Sequence, residues 1–186
     1  MFNIVPIATS PQNNAIKLIP VFINPIYISA APGINEKINV LSEKIGRTAS
    51  TITILLWKND RYCIANIGDS PAYKLSDREL VCLTNEHTMA REKLEKGQPV
   101  SKRDFYSLSR YLGMSKVAGS QIASIKMGKI NRGDIFMICS DGVSKSISSY
   151  QMKRYMRTDG DRAIRKIYSK CSKSDNMDNC TAIILK

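Results

Sequence analysis

The sequence predicts an α+β protein with mainly antiparallel sheets flanked by helices. Apolar, strand-like segments follow one another across very short connections, at Asn59–Asp60 and at Ser76–Arg78. Such hairpin turns are too short for the crossover that parallel strands require. Helix-like patterns are confined to separate stretches, and two of them lie one after the other before the last strand-like segment. This order of elements favours α+β over an alternating α/β arrangement.

The chain has 186 residues, of which 43% are apolar and 24% are charged. This composition is typical of a folded domain and excludes a disordered chain. The length predicts one domain, residues 1–186. Lysine and arginine outnumber aspartate and glutamate by 28 to 16, so the formal net charge is +12. A charge of this sign favours an anionic partner.

The first half is predicted to contain strands on both sides of one helix, followed by a second helix. Prolines break the apolar stretch from Ala15 to Pro32, which predicts two short strands, at about 17–19 and 26–29. Ile34, Ile38, Leu41 and Ile45 recur every three or four residues and predict a helix over 33–45. β-Branched and apolar runs predict strands over 50–58, 61–67, 72–75 and 79–83. A polar stretch that ends at Gly97 predicts a helix over 88–96.

The second half is predicted to contain three strands and two consecutive helices. Strand-like runs lie at 122–127 and 134–139, and a last one lies at 180–185. Ser148 followed by Gln151 fits a capping box that opens a helix to Arg157. Ile164, Ile167 and Cys171 lie on one face of a helix predicted over 161–171.

The cysteine pattern predicts reduced thiols and a cytoplasmic location. Five cysteines are present, their number is odd, and no CxxC pair occurs, which disfavours a disulfide framework and a cysteine-type zinc site. Cys139 and Cys180 fall in strand patterns and are expected to be small apolar core residues. His87 is the single histidine; it is interpreted as a core or turn residue. Lys17, Asn24 and the prolines interrupt the longest apolar stretch, so no membrane span is expected.

Three aspartates stand at the ends of predicted strands. Asp69 and Asp141 each follow an apolar strand, and Asp178 precedes the last one. Carboxylates held by a rigid sheet suit a hard cation such as Mg²⁺ or Mn²⁺. Asp next to Gly at a strand end is also a common turn former. Both interpretations stay open at this point.

Five segments of the chain stand out as an ordered set. They are Gly68–Tyr73 (GDSPAY), Leu83–Thr88 (LTNEHT), Leu108–Gly113 (LSRYLG), Gly133–Val143 (GD at its start and CSDGV at its end) and Asp178–Ile184 (DNCTAII). In this order and spacing they resemble the motifs of the PP2C (PPM) family of metal-dependent Ser/Thr protein phosphatases, from Gly46 to the C-terminus. The resemblance implies a β-sandwich flanked by helices, with a two-metal centre at one end.

The N-terminal part departs from the family pattern. In the alignment register that fits best, Thr9 stands where family members have a phosphate-binding Arg. Gln12 and Asn14 stand where the same family motif has an Asn and an Asp. Further on, Ala31 stands at the metal-bridging Asp, and Pro32 stands at the Gly whose carbonyl ligates metal. The stretch from Ala31 to Gly46 is also shorter than in family members, which implies that one of two usual helices is missing. Independently of any register, no Asp or Glu occurs before Glu36.

These departures predict a catalytically impaired centre, as in a pseudophosphatase that acts by binding. In the family mechanism, two cations activate a water that attacks phosphorus, and alanine offers no oxygen to bridge them. Threonine cannot replace the bidentate arginine that orients the phosphate. Asp141 and Asp178, with Asp69, are expected to hold no ion or one weakly bound Mg²⁺ or Mn²⁺. The alternative is an active Mn²⁺/Mg²⁺-dependent phosphatase with an unusual site.

The partner is expected to bind a basic surface near the C-terminus. Between Lys145 and Lys173 there are nine basic and two acidic residues. The candidate contact residues are Lys153, Arg154, Arg157, Arg162, Arg165 and Lys166. They favour an acidic or phosphorylated protein, although a solvated helix face is the ordinary role of such residues. No motif with interleaved aromatic residues indicates nucleic acid, so a basic nucleic-acid or lipid-surface binder is the weaker alternative.

Overall fold

The computed structural model describes residues 31–45, 48–77, 79–114, 122–174 and 178–186. Runs of consecutive strands and separate groups of helices follow one another in it, as the sequence predicts. In chain order they are α1 (Ala31–Ile45), β1 (Ile52–Lys58), β2 (Arg61–Ile67), β3 (Ala72–Ser76), β4 (Glu79–Cys82), α2 (Met89–Glu95), a 3₁₀ helix (Lys102–Tyr106), β5 (Ser124–Lys129), β6 (Ile135–Cys139), α3 (Asp141–Ser146), α4 (Ser149–Met156), α5 (Gly160–Cys171) and β7 (Ala182–Leu185). The strands predicted at 17–19 and 26–29 lie outside the described residues.

Both predicted hairpins are confirmed. β1 and β2 pair antiparallel with Lys58 opposite Arg61, and β3 and β4 pair antiparallel with Ser76 opposite Glu79. Asn59, in the first turn, has a φ of 55°. Asparagine tolerates this left-handed backbone conformation better than most residues. In two-residue hairpins, the same conformation lets the turn match the twist of the flanking strands.

The described residues fall into two compact units. The first contains Pro71–Leu83 and Lys129–Lys186 and holds a four-stranded sheet in the order β4-β3-β6-β7. The β3–β6 and β6–β7 pairs are antiparallel. β6 therefore lies inside the sheet, which explains why its sequence, IFMIC, is wholly apolar.

The core of the first unit lies between this sheet and the helices α3, α4 and α5. Its buried members are Leu75, Met137, Cys139, Val143, Ile147, Met152, Met156, Ala163, Ile167, Cys171, Ala182 and Ile184. In α5 the buried face is formed by Ala163, Ile167 and Cys171 at intervals of four residues, whereas Ile164 is half-buried. The predicted face is thus confirmed with a shift of one residue at its first position.

The second unit contains the described part of Ile19–Ser70 together with Thr84–Gly128. Its sheet has the order β1-β2-β5. Ile38 of α1 packs against the buried cluster of Ile67, Leu112 and Ile122, as the helix pattern predicts, but Leu41 is exposed. The Asn35 side chain joins α1 to the chain after Leu112: its Oδ1 accepts from the Gly113 N–H at 2.7 Å, and its Nδ2 donates to the Met114 carbonyl at 3.1 Å.

The α+β class with antiparallel sheets and flanking helices is confirmed. Two short elements go beyond the prediction, namely α3 and the 3₁₀ helix. α3 has the sequence DGVSKS, which contains no repeated apolar spacing. It forms because Val143 is completely buried in the core, and burial supplies the stability that local propensity lacks. No helix of the described residues is long and apolar enough to span a membrane.

Candidate functional site

Asp141 is the first residue of α3, and Ser140 separates it from the buried strand β6. Its Oδ1 accepts the N–H of Gly142 at 2.9 Å. Its Oδ2 accepts from the ammonium of Lys145, one helical turn later, at 2.6 Å. The Asp141 side chain is 24% exposed and that of Lys145 is 34% exposed. Both carboxylate oxygens of Asp141 are thus already engaged by groups of the chain itself.

The antiparallel pairing of β6 and β7 brings Asp178 to the same end of the sheet. The Ser140 hydroxyl donates to the Asn179 carbonyl at 2.9 Å and accepts from the Thr181 N–H at 3.0 Å. Asp178 itself is exposed, and its Oδ1 accepts the N–H of Asn179 at 2.8 Å. The structure therefore places the Asp141 and Asp178 segments side by side, joined through Ser140.

Gly142 allows this close approach. A Cβ atom at Gly142 would lie 2.5 Å from the Asn179 carbonyl oxygen, closer than real Cβ atoms approach. Any larger residue would push the Asp178 segment away from α3. The glycine of the CSDGV segment is thus needed for close packing of the chain as well as for a turn.

Asp69 belongs to the second unit, where it follows β2 and is half-buried. The preceding Gly68 has a φ of +104°, and a Cβ at this position would lie 2.3 Å from the Thr51 side chain. Glycine is required at position 68 both because φ is positive and because the Thr51 side chain leaves no room for a Cβ atom. The three-carboxylate site of Asp69, Asp141 and Asp178 stays a prediction.

In the described part of the chain, the side chains do not form the two-metal centre that the family resemblance implies. Within the described ranges, no group of three His, Cys, Asp or Glu side chains is arranged to hold a metal ion. The Lys145 ammonium contacts one of the two oxygens of the Asp141 carboxylate. Ala31 and Pro32 begin helix α1, a position that proline tolerates because its missing N–H would have no helical partner. Thr9, Gln12 and Asn14 lie outside the described residues.

The predicted contact residues lie on α4, α5 and the turn between them. We call Lys153, Arg154, Arg157, Arg162, Arg165 and Lys166 the α4–α5 basic face. The four arginines are exposed. The two lysines are half-buried: Lys166 lies over the Tyr155 ring at 6.0 Å, and Lys153 lines a cleft of about 630 Å³ together with Asp77 and Glu79. The arginines are therefore the more available charges for a partner.

His87, which the sequence suggested as a core or turn residue, is buried with 4% of its surface exposed. Its Nδ1 accepts the N–H of Gly68 at 3.1 Å, and its Nε2 lies 2.7 Å from the Ser124 hydroxyl. Because Nδ1 accepts, the ring proton of the neutral form is on Nε2 and is donated to Ser124. This is the wrong tautomer for a base that would activate the serine. The pair is structural.

The His87 ring is neutral in the folded chain. Its pKa is lowered from 6.5 to about 4 by burial and by the nearby charge of Arg110, against an opposing effect of Glu92. Desolvation disfavours the charged imidazolium.

The chain is similar to known proteins in sequence and in structure, although no family model matches it. In sequence it is 29% identical over 100 residues to the Ser/Thr protein phosphatase PstP of Mycobacterium tuberculosis, which covers 53% of this chain and 20% of PstP. It is 26% identical over 134 residues to the Ser/Thr phosphatase stp of Listeria monocytogenes, which covers 67% of this chain and 52% of that protein.

Solved structures extend the similarity to most of the chain. The crystal structure of Stp1 from Staphylococcus aureus, a Ser/Thr phosphatase, superimposes with a TM-score of 0.76 at 17% identity, over 89% of this chain and 70% of that one. The chain has the PP2C-family fold. The PstP catalytic domain, solved in complex with two manganese ions, shares this PP2C fold with a TM-score of 0.69 at 22% identity, over 82% of this chain and 66% of that one.

The PP2C fold is present here in a shortened form. The chain spans about a fifth of the length of PstP and about half that of the Listeria phosphatase. The fold prediction drawn from the five motifs is confirmed. The strand patterns placed Asp141 after one strand and Asp178 before another, and in the structure Asp141 follows the end of β6 by two positions and Asp178 precedes the start of β7 by four. What the motifs did not reveal is the contact of Lys145 with Asp141, although the four-residue spacing within a helix would have suggested it.

Proposed function

We propose that this chain is a PP2C-fold pseudophosphatase, which acts by binding an acidic or phosphorylated protein. The observation that carries the proposal is Ala31 at the position where the resemblance places the metal-bridging carboxylate; in addition, none of residues 1–35 is Asp or Glu. Without a bridging oxygen, two cations cannot be held close enough to activate one water between them.

The contact between Lys145 and Asp141 supports the proposal. The ammonium supplies, from within the chain, the positive charge that a metal would bring to this carboxylate. An exposed ion pair of this kind contributes only about 0–1 kcal/mol, so a cation can still compete with Lys145. The proposal therefore includes at most one weakly bound Mg²⁺ or Mn²⁺ at Asp141 and Asp178.

The alternative is an active Mn²⁺/Mg²⁺-dependent Ser/Thr phosphatase. It is favoured by the similarity to PstP and to the Listeria protein, which are Ser/Thr phosphatases, and by the two manganese ions in the PstP structure. Under either function we place the chain in a reducing compartment such as the cytoplasm. In support, all five cysteines lie in the described part of the chain and none forms a disulfide.

A phosphatase assay with Mn²⁺ separates these functions. We expect turnover of a phosphopeptide to be indistinguishable from a blank. Calorimetry with Mn²⁺ is expected to show one ion per chain at most. Lys145→Gln should tighten this binding because it removes the competing ammonium, without restoring turnover, and Asp141→Asn should abolish it. The matched control is Asp161→Asn, an exposed aspartate of α5. Mn²⁺-dependent hydrolysis that disappears in Asp141→Asn would establish the active alternative.

Reversing charge on the α4–α5 basic face tests the proposal that this face binds an acidic or phosphorylated protein. Rim charges steer encounter more than they add affinity. We expect the triple variant Arg154→Glu, Arg162→Glu, Arg165→Glu to slow association with an acidic phosphopeptide about tenfold or more at low ionic strength. The dependence of the rate on salt should flatten as well, because fewer charges attract the peptide. The melting temperature should change little, since all three side chains are exposed.

The matched control reverses three exposed basic residues of the second unit, Lys96, Lys102 and Arg103. Stopped-flow measurement over a range of salt concentrations compares the two variants. Equal slowing by both would mean that net charge alone attracts the peptide, and the basic face would then be only a solubilising surface.

A further inference from the structure

The α4–α5 basic face takes its exposed charges from arginine, in a chain that otherwise favours lysine. Residues 154–165 contain four arginines and no lysine, whereas the rest of the chain contains 7 arginines and 17 lysines. For solubility and long-range attraction an ammonium serves as well as a guanidinium. Only the guanidinium offers a planar fork of N–H donors that binds an anion through two parallel hydrogen bonds. The local change of residue type therefore indicates a role that needs this fork.

The four arginines stand in two pairs with the same spacing. Arg154 and Arg157 are three positions apart at the end of α4, and Arg162 and Arg165 are three positions apart in the first half of α5. Arg157 follows the last residue of α4 and keeps helical backbone angles, with φ −80° and ψ −18°. Each pair therefore lies on one side of its helix, with Cβ atoms about 5–6 Å apart. Two guanidinium groups at this spacing can bind one tetrahedral anion together.

No neighbouring carboxylate occupies these guanidinium groups. All four arginines are exposed, and among the described residues none of them forms an ion pair. Asp159 and Asp161 are exposed close by in the sequence and are not paired with them either. Arg162 lies in the first turn of α5, where the helix dipole disfavours a positive charge. Helix stability therefore does not explain an arginine at this position.

We propose that the α4–α5 basic face recognises phosphorylated serine or threonine in its partner, in preference to acidic side chains. A phosphate monoester carries a charge of about −1.5 to −2 at neutral pH and has three strong acceptor oxygens. It can accept hydrogen bonds from both arginines of a pair at once, whereas a carboxylate has one charge and two oxygens. The inference rests on the proposed function, because it names the chemistry that the binding surface would recognise.

The distribution of charge favours a phosphorylated protein segment over other sources of phosphate. Asp159 and Asp161 lie between Arg157 and Arg162 in the sequence, so the positive charge is interrupted between the two pairs. A nucleic acid backbone or an anionic membrane presents many closely spaced negative charges and would meet these carboxylates as well. A single phosphoryl group on a protein segment can bind one arginine pair and avoid them.

Binding of the full chain to matched peptides tests the inference. Three peptides share one sequence and differ at one site, which holds phosphothreonine, threonine or, to match the phosphate charge, two glutamates. Fluorescence anisotropy at an ionic strength of about 0.15 M, with EDTA and no divalent cation, keeps the phosphopeptide intact under either function. We expect the wild-type chain to bind the phosphopeptide about tenfold more tightly than the glutamate peptide.

Replacing arginine by lysine separates recognition by the fork from attraction by charge. The variant in which all four arginines become lysine keeps the formal net charge of +12. It should bind the glutamate peptide as the wild-type chain does and lose the preference for the phosphopeptide. The matched control replaces three exposed arginines outside the face by lysine, and it should keep the preference; these are Arg61, Arg103 and Arg132.

The outcomes separate a failure of this inference from a failure of the proposed function. Equal affinity of the wild-type chain for the phosphopeptide and the glutamate peptide overturns the inference, although an acidic partner would remain. A preference that survives in the lysine variant also overturns it, as does tighter arginine-dependent binding to phosphatidylserine vesicles or to a DNA oligonucleotide. If none of the peptides binds, the proposed binding function fails as well. The wild-type affinities decide between the first and last of these results even if the variant folds poorly.

Discussion

Replacing Asp134 by alanine is expected to lower the free energy of unfolding by about 3–5 kcal/mol. The Asp134 side chain is 2% exposed and accepts from the Lys74 ammonium at 2.7 Å, while 13% of the Lys74 side chain is exposed. The carboxylate also accepts from the Ser76 hydroxyl at 2.6 Å and from the Asn131 N–H at 2.7 Å. Removing it deprives a largely buried ammonium of its counter-charge and two further donors of their acceptor.

The pKa of Asp134 reflects the opposing effects of burial and of these hydrogen bonds. Burial acts to raise it, but the hydrogen bonds from Lys74, Ser76 and Asn131 outweigh burial and hold the pKa below its usual value. The carboxylate is therefore ionised at neutral pH, and its loss removes a charge and not only a hydrogen bond. The GD pair that the sequence assigned to a family motif is thus explained here as a structural anchor of β3 to the turn before β6.

Urea denaturation of the variant measures the loss, with Asp161→Ala as the control. Asp161 is an exposed aspartate in the first turn of α5, where its charge contributes about 0.3–1 kcal/mol with the helix dipole. Replacing Lys74 and Asp134 together by methionine and leucine should cost less than Asp134→Ala alone, since no buried charge is then left over. A loss below about 1 kcal/mol for Asp134→Ala would contradict this account.

Acidification from pH 7 to pH 5 is expected to remove about 2 kcal/mol of stability through His87. Folding lowers the pKa of this group from 6.5 to about 4. The unfolded chain therefore takes up a proton below pH 6.5, whereas the folded chain does so only near pH 4. The contribution is complete above the unfolded pKa, decreases as pH falls between the two values, and becomes constant below the folded one.

Chemical denaturation at several pH values measures this slope. His87 is the single histidine of the chain, so no other histidine titrates in this range. His87→Gln should be less stable than the wild-type chain at pH 7, because the Gly68 N–H loses its ring acceptor, but its stability should change little between pH 7 and pH 5. A variant that keeps the wild-type slope would refute the assignment of the pH dependence to this ring.

Contacts between neighbouring residues were predictable from the sequence. Asn59–Asp60 joins β1 and β2 as a two-residue hairpin, and the capping box of Ser148 and Gln151 begins α4. Each depends on side chains within a few positions, which act on the backbone without help from distant parts of the chain. The class of the fold follows from such elements, because short hairpins leave only antiparallel pairing open to consecutive strands.

The tertiary structure decided the contacts that join distant residues. The sequence by itself placed Asp141 after one strand and Asp178 before another, but the pairing of β6 with β7 brings Ser140 to Thr181, 41 positions away. The contact of His87 with Ser124 also depends on packing. Sequence patterns report which face of an element is apolar, whereas the partners of a polar side chain are set by which elements share the core. For this reason the sequence by itself predicted the strands of the described residues and showed that residues 1–35 contain no Asp or Glu. Only the structure showed that the Lys145 ammonium contacts the Asp141 carboxylate.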